Sequence, residues 1–401
     1  MNILFLSDVY FPRINGVSTS INTLRQQLAA QGHRVHLLAP DYYSPSEDES
    51  WITRVPSHYL LFDPEDRLMR YGKALSLTSA LRQEDFQIVH IHTPFVAHYL
   101  GLRLSRRLRI PCVETYHTFF EDYMHHYLPV LPKPLLRALA RRLSRSQCNA
   151  VDAVVAPSQP MLDALRGYGV KSHAEVIPTG LQEYSFTPGD GPGFRQRYGI
   201  APNRPVMLYV GRVAHEKNIG FLLRMTVEVK RSRPDILFVI AGEGPALERL
   251  RREAEMLGVQ DNTLFIGYLD RKTELNDCYR MADVFVFSSL TETQGLVLLE
   301  AMAQGLPVVA IAEMGTKSIL REGDGALIAP QDERGFAERV LSVLANSGYR
   351  NTLGERAHEY ALHWSAGSMA DRMSHFYRKA IAAYGASCKA ERSGVSLTAR
   401  D

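Results

Sequence analysis

Apolar runs of three to six residues, rich in Val and Ile, alternate along most of this chain with longer stretches whose apolar positions recur every three or four residues. Runs that short suit buried strands, and the longer spacing is that of amphipathic helices. In the first half the pattern predicts strands over residues 3–6, 35–38, 88–91, 112–115, 154–156 and 175–177, with helices at about 19–31, 66–82, 96–107, 133–146 and 159–167. Between 178 and 205 the alternation lapses, and Gly180, Pro188, Gly189, Gly191, Pro192 and Gly193 give a linker composition, placed at 186–204. It resumes with strands over 206–210, 236–241, 263–266, 284–287 and 308–310, helices over 219–231, 246–257, 272–281 and 296–304, and further helices beyond Gln331. Strands and helices in alternation make parallel sheets covered on both faces. The expected architecture is α/β: two doubly wound domains, 1–185 and 205–365, facing a central cleft, with a polar, disordered tail over 385–401. Ligands of such sheets bind at the carboxyl ends of the strands, which makes that cleft the expected site.

A chain of 401 residues suffices for two domains that each bury a core. A hydrophobic share of 45% and a charged share of 22% suit a globular enzyme, and a net charge of +3 gives no argument for nucleic acid. Cys112, Cys148, Cys278 and Cys388 lack metal-ligand spacing and read as reduced thiols of a cytoplasmic protein. The sequence opens directly on its first strand, without a basic leader or a long apolar core, so no signal peptide is expected. No apolar run nears the roughly 18 residues that span a bilayer. Any membrane contact is therefore expected to be peripheral.

The segment Thr291-Glu292-Thr293-Gln294-Gly295-Leu296-Val297-Leu298-Leu299-Glu300 is the richest in chemistry. Glu292 is expected in the loop after a strand and Glu300 in the following helix, with Gly295 opening that helix. Carboxylates beside a helix start suit sugar hydroxyls, which favour charged acceptors; the plainer reading is a dipole-stabilising acid followed by a solvated one. After the strand over 206–210 comes Gly211-Arg212-Val213-Ala214-His215-Glu216-Lys217. Arg212 offers a fork and Lys217 a point charge, a combination that fits a diphosphate unless both are simply surface cations. Gly242 and Gly244, at another strand end, suit tight backbone passage. In the first domain Gly16 lets backbone N–H groups approach a phosphate, ahead of a helix capped by Ser18 or Thr19. No G-x-G-x-x-G follows the first strand, so a nicotinamide fingerprint is absent. Histidines collect in this half: His90 and His92 share one face of a strand, His117 follows the strand over 112–115, and His125 and His126 are adjacent. Nothing in their spacing asks for a metal. Position favours His117 as a site residue, with a satisfied core histidine as the competing reading.

Arg212 and Lys217, then Glu292 and Glu300 around Gln294-Gly295, ahead of Ala301-Met302-Ala303-Gln304-Gly305-Leu306-Pro307-Val308-Val309, resemble the retaining family-4 glycosyltransferases. The resemblance runs from Asn15-Gly16-Val17 through Ile177-Pro178-Thr179-Gly180 to Trp364-Ser365. It implies the GT-B fold, two Rossmann-like domains with a nucleotide-sugar held mainly by the second, and a last helix over 366–384 that crosses back to the first. It further implies that Glu300 binds the ribose hydroxyls and that Glu292 sits beside the donor sugar with Gln294 and Gly295. Arg212 and Lys217 would neutralise the diphosphate, Gly16 would meet it from the other domain, and His117 would lie next to the anomeric centre on the acceptor side. Two departures stand out: many relatives carry Phe where Gln294 stands and two glycines where Asn15-Gly16 stands. Cations at the leaving diphosphate do what a divalent metal would do, and no Asp-x-Asp motif is present, so no metal and no cofactor beyond the nucleotide-sugar are expected.

For the acceptor, the helix over 133–146 is informative. Lys133, Arg137, Arg141 and Arg145 recur every fourth residue as one stripe, and Leu135, Leu139 and Leu143 form another nearly opposite. No acid occurs between Asp122 and Asp152, and Arg103, Arg106, Arg107 and Arg109 add to the charge. Beside the aromatic segment from Phe119 to Leu131, this suits an anionic membrane surface, against the plain reading of leucines on the sheet and solvated cations. Thr93-Pro94-Phe95, Thr115-Tyr116-His117-Thr118 with Glu121-Asp122-Tyr123, and Glu292-Thr293-Gln294-Gly295-Leu296 look like the branch that glycosylates diacylglycerol. The expected activity is hexosyl transfer, UDP-glucose favoured, to a lipid such as diacylglycerol at the inner face of the cytoplasmic membrane. Mannosyl transfer from GDP-mannose to a lipid or glycan, a nucleotide-sugar epimerase and a silent sugar-nucleotide-binding module are the alternatives.

Overall fold

The computed structural model describes residues 1–13, 15–43, 50–60, 63–117, 133–271, 273–292 and 294–392. The chain divides into two units, Met1–Gly180 with Met369–Asp401, and Leu181–Ser368.

The first unit is built on β1 (Asn2–Leu6), β2 (Arg34–Pro40), β3 (Ile52–Val55), β4 (Ser57–Leu60), β5 (Asp63–Met69), β6 (Ile88–Ile91), β7 (Cys112–Thr115), β8 (Ala153–Ala156) and β9 (His173–Val176). Seven of these form one sheet in the order β3-β2-β1-β6-β7-β8-β9, parallel throughout. Strands β4 and β5 make a separate antiparallel pair. Along β1 the side chains alternate between two cores, Ile3 and Phe5 in one, Leu4 and Leu6 in the other. Helices Val96–Leu108 and Lys133–Cys148 supply Leu100, Leu104 and Ala140 to the Leu4 core. Helix Gly16–Ala30 brings Ile21 and Leu28 to the Phe5 core, and helix Ala366–Arg392 brings Met373, Phe376 and Tyr377. Phe376 is fully buried. Burial of such a ring is worth about 1.5–3 kcal/mol, which anchors the C-terminal helix in this unit. The strand order reverses between β1 and β6, so the switch point where doubly wound sheets take their ligands lies just past the pairing of Leu6 with Ile91.

The second unit repeats the plan with β10 (Val206–Val210), β11 (Leu237–Ala241), β12 (Thr263–Gly267), β13 (Val284–Phe287), β14 (Val308–Ala310) and β15 (Ala326–Ile328). The order is β12-β11-β10-β13-β14-β15, again parallel. Strands β10, β11 and β13 are buried at every position, as runs apolar throughout should be. Here the switch point lies between β10 and β13. The loops after β10 and β11 pass so closely that a Cβ on Gly242, at φ +140°, would lie 1.9 Å from the Gly211 carbonyl oxygen. Only glycine fits there.

Tertiary pairing overrides the sequence pattern in several places. The helix expected over 66–82 is replaced at its start by β5, whose Leu68 and Met69 pair with His58 and Ser57 of β4; helix resumes only at Tyr71–Ser76 and Thr78–Leu81. Helix-favouring residues at 66–68 lose to the antiparallel ladder. The expected linker over 186–204 holds helix Gly191–Arg197, whose Phe194 is fully buried in the second unit's core. Gly189 and Gly191 serve close packing, since a Cβ on either would strike the backbone near Asn276 or Arg280 at 2.3–2.5 Å. The expected disordered tail is helical as far as Arg392, as part of Ala366–Arg392. The first helix is capped by Asn15, whose side chain accepts from Ser18 N–H, and not by Ser18 or Thr19. Strands β3, β4 and β15 were not expected from the pattern, being short and partly polar.

Candidate functional site

In the second unit the loops after β10 and β13 leave the switch point side by side. Asn218, in the left-handed region at φ 55°, ends the turn His215–Lys217. Its Nδ2 donates to the Ser288 carbonyl at 3.2 Å, and its carbonyl accepts from Ser288 Oγ at 2.9 Å. This clamp sets Lys217 Nζ 2.6 Å from Glu292 Oε2, each side chain only 20% exposed. Removal of either partner would therefore strand a half-desolvated charge. The Glu292 carbonyl accepts from Gly315 N–H at 2.8 Å, which fixes the loop from its other side. Tyr209, buried on β10, donates its hydroxyl to the Arg212 carbonyl at 3.2 Å. Burial first, then the Glu292 and Glu216 charges, push that phenol upward. The Arg212 side chain is 67% exposed and lies 3.9 Å from Glu216, apart from the Lys217–Glu292 contact.

Helix Leu296–Ala303 carries Glu300 and is opened by Gly295 at φ +77°, where a Cβ would crowd Leu298, Thr316 and Ile319 at 3.1–3.3 Å. Gln294 is half-buried beside it, and Thr293 lies outside the described residues. Glu300 is 7% exposed. Its Oε2 accepts from the Tyr279 hydroxyl at 3.0 Å, and its Oε1 is bridged by Arg271. The Glu300 charge, above all, raises the Arg271 guanidinium, while burial and then Glu300 push the Tyr279 phenol well up. A carboxylate offers about four acceptor directions, so Glu300 retains capacity for hydroxyls. Sequence reasoning missed Arg271 and Tyr279. For Arg271 the available signal was a cation in the loop at the carboxyl end of β12; Tyr279 has the pattern of an ordinary core aromatic.

The switch point of the first unit is of another kind. Asp8, 4% exposed, accepts at Oδ2 from Thr93 Oγ1 at 2.9 Å and from Ala97 N–H at 2.8 Å, the latter in the first turn of helix Val96–Leu108. Its Oδ1 has no hydrogen-bond partner, although the Met69 amide acts weakly on the same carboxyl. Burial pushes Asp8 up to about 7. His90 is satisfied at both nitrogens, by the Tyr377 hydroxyl at 2.6 Å and Thr115 Oγ1 at 2.7 Å. His92 Nδ1 lies 3.4 Å from His117 Nε2, the two ring planes 24° apart and their centroids 5.7 Å apart. Burial first, then the neighbouring rings, hold His90 and His92 well below the usual imidazole range, and burial brings His117 to about 4. Gly16 opens helix Gly16–Ala30 and is exposed, and a Cβ there would meet nothing within 4 Å. Asp8 was passed over because an acid directly after a strand carries no spacing signal. His125 and His126 lie outside the described residues.

Helix Lys133–Cys148 turns Leu136, Ala140, Ser144 and Gln147 inward. Leu135 and Leu139 are exposed at 55% and 46%, so the core stripe lies one residue along from the expected leucine stripe. Arg137, Arg141 and Arg145 are exposed too, while the Lys133 side chain and the segment 119–131 lie outside the described residues. Gln147 Nε2 donates to the Pro94 carbonyl at 2.7 Å and so ties this helix to the loop that carries exposed Phe95, with exposed Tyr99 one turn on. A cavity of about 840 Å³ lined by Arg141, Arg142, Arg145, Asn149 and Tyr168, with no acid among its lining residues, opens beside it. No described helix is long and apolar enough to cross a membrane, and no group of three metal-ligating side chains gathers among the described residues.

Comparison with known proteins agrees with this layout. The model described as Glycosyltransferase Family 4 matches residues 14–183, and that described as Glycosyl transferases group 1 matches 192–360. The alpha-monoglucosyldiacylglycerol synthase of Streptococcus pneumoniae is 33% identical over 95% of this chain and 86% of its own. That of Acholeplasma laidlawii is 27% identical over 89% and 92%, and a GDP-mannose-dependent alpha-mannosyltransferase of Mycobacterium tuberculosis is 28% identical over 86% and 88%. The crystal structure of HepE from Anabaena in complex with UDP superposes with a TM-score of 0.73 over 94% of this chain and all of that one, at 17% identity.

Proposed function

The chain belongs to the family-4 glycosyltransferases of GT-B architecture, and from that premise we propose that it moves glucose from UDP-glucose to the free hydroxyl of a diacylglycerol with retention of configuration. The observation that carries this reading is the similarity, across both units, to an alpha-monoglucosyldiacylglycerol synthase. In the reaction the bond from the anomeric carbon to the diphosphate oxygen breaks and a bond to the acceptor oxygen forms on the same face. The acceptor's proton passes to the departing phosphate. Charge grows on the diphosphate, and Lys217 with Arg212 stabilises it there without a metal or further cofactor. Glu292, with Gln294 and Gly295, holds the donor sugar; Glu300 takes the ribose hydroxyls; Gly16 offers backbone to the diphosphate; His117 stands beside the reacting carbon. The Lys217–Glu292 contact supports this, because a cation for phosphate and an acceptor for sugar hydroxyls share one loop junction.

The lipid side rests on helix Lys133–Cys148. Leu135 and Leu139 stand out from its surface, flanked by Arg137, Arg141 and Arg145, and this supports peripheral docking on an anionic leaflet at the inner face of the cytoplasmic membrane. The Leu135→Asp/Leu139→Asp double variant is expected to lose sedimentation with phosphatidylglycerol vesicles and to keep UDP binding; unchanged sedimentation rejects the surface.

The decisive assay offers UDP-glucose, UDP-galactose and GDP-mannose with diacylglycerol dispersed in such vesicles, with product linkage read by mass spectrometry and NMR. An α-glucosyl diacylglycerol from UDP-glucose is expected. The similarity to a GDP-mannose-dependent enzyme favours mannosyl transfer as the second reading. Product from GDP-mannose alone would replace the first reading with it.

A further inference from the structure

His92 is 2% exposed and its Nε2 has no hydrogen-bond partner, while its Nδ1 faces His117 Nε2 at 3.4 Å. Buried polar side-chain atoms are partnered in the large majority of cases, so an orphan nitrogen in this position calls for a physical account. Two neutral rings in contact through one nitrogen each can share the proton in two ways. If His117 Nε2 carries it, His92 must carry its own proton on Nε2, and a buried N–H is left without an acceptor. If His92 Nδ1 carries it, His92 Nε2 is a bare lone pair, and the proton of His117 is forced onto Nδ1. Orphaned N–H groups are the rarer and costlier outcome, so the second arrangement is favoured. Burial holds both rings neutral, with the neighbouring rings adding to it at His92, which keeps a doubly protonated imidazolium out of the choice. Phe5 at 4.6 Å and His90 at 4.0 Å pack against the His92 ring and restrict its orientation. His117 Nδ1 has no hydrogen bond among the described residues and is the nitrogen left to meet a ligand.

We infer that His92 is a positioning residue that locks His117 in its Nδ1–H tautomer, so that His117 meets its substrate as a hydrogen-bond donor to an oxygen and not as a base. The inference deepens, and rests on, the reading that places His117 beside the reacting carbon. Such a donor would steady an oxygen of the sugar or of the acceptor; the acceptor's proton then leaves on the phosphate, as in the reaction written above.

Three substitutions at His92 separate the roles. Phenylalanine keeps the ring packing and removes both nitrogens; asparagine keeps a donor at the Nδ1 position; glutamine keeps a polar group at the Nε2 position. Turnover is expected to fall about tenfold or more in His92→Phe, with the donor KM little changed. It should recover in His92→Asn and stay low in His92→Gln. Nitrogen-15 NMR of the histidine rings, with His117 assigned by its loss in His117→Gln, is expected to show the Nδ1–H form of His117 in the wild type. Full turnover in His92→Phe, recovery by glutamine instead of asparagine, or an Nε2–H His117 would each overturn the inference. The NMR reading needs no substrate, so failure to find a glycosyl acceptor would sink the functional reading and leave the tautomer measurement standing as a separate result.

Discussion

The two switch points occupy equivalent places in two similar sheets, and they are chemically opposite. In the second unit the edge is held by paired charges, Lys217 with Glu292 and Arg271 with Glu300. In the first unit the corresponding edge is close to neutral: His90, His92 and His117 are kept uncharged by burial, and Asp8, pushed to about 7, is only partly ionised near pH 7. Each edge suits a different partner. Ion pairs can exchange one partner for a ligand charge, so a site made of them can take a diphosphate and sugar hydroxyls without a net desolvated charge. An uncharged alcohol gives no charge to compensate burial of an ion, so a floor facing it does best with neutral groups. On the proposed function, the donor would belong to the charged edge and the acceptor to the neutral one.

Removal of charge from the second unit is the harshest test of that contrast. Lys217→Ala is expected to lower kcat by about 10²–10³, the usual cost of deleting one preorganised stabiliser of a developing anion. It also leaves Glu292 without its cation, so Lys217→Met/Glu292→Gln serves as the companion that removes both charges together. If kcat in Lys217→Ala stayed within tenfold of the wild type in steady-state assays, the pair would be structural and the contrast would lose its charged half.

A smaller effect is expected one turn into helix Leu296–Ala303. Glu300→Gln keeps the shape and the Tyr279 contact but removes the charge that meets Arg271. Hydrogen bonds to charged groups are worth about 1.5–3 kcal/mol, so UDP affinity measured by calorimetry should drop by about tenfold to a hundredfold while kcat changes little. An equal loss in kcat and in affinity would move Glu300 from nucleotide binding to the chemical step.

The charged edge was far more legible in the sequence than the neutral one. Arg212, Lys217 and Glu292 are charged residues in the loops that follow strands whose all-apolar runs announce themselves, Glu300 lies in the next helix, and the pattern set β10 and β13 within a residue of their bounds. Arg212 shows the limit: its place on the loop was readable, but its 67% exposure and its Glu216 partner depend on side-chain packing. At the neutral edge, His90 and His92 were seen to share a face, yet which of them is satisfied depends on Tyr377, which is 287 residues away in sequence. Asp8 was unreadable for the same reason, since its partners Thr93 and Ala97 reach it only through sheet closure. On helix Lys133–Cys148 Arg137, Arg141 and Arg145 of the basic stripe are exposed, while the sequence left open whether the leucine stripe packs on the sheet, because Leu135 and Leu136 differ by a single residue and only the neighbouring elements decide which is covered.

The mildest test lies in pH, where two groups of the neutral edge pull in opposite directions. His117 sits at about 4 in the folded chain against an ordinary 6.5. Between those values the unfolded chain binds the extra proton, so this group's contribution is complete above pH 6.5 and is lost as pH falls towards 4. Asp8 sits at about 7 against 3.8, so there the folded chain binds the extra proton, and its contribution is lost as pH rises from 3.8 to 7. Each slope is at most about 1.4 kcal/mol per pH unit, and the His117 slope is smaller because that ring is only half-buried. The two oppose each other between pH 4 and 6.5, while His90 and His92, also depressed, add to the histidine side. Substitution separates them. Relative to the wild type, Asp8→Asn should gain stability as pH rises across this window, and His117→Asn should lose it. Urea unfolding at about pH 5 and pH 6.5 reads both differences. If both variants ran parallel to the wild type, neither group would be held neutral by the fold, and the first unit's edge would not differ in kind from the second's.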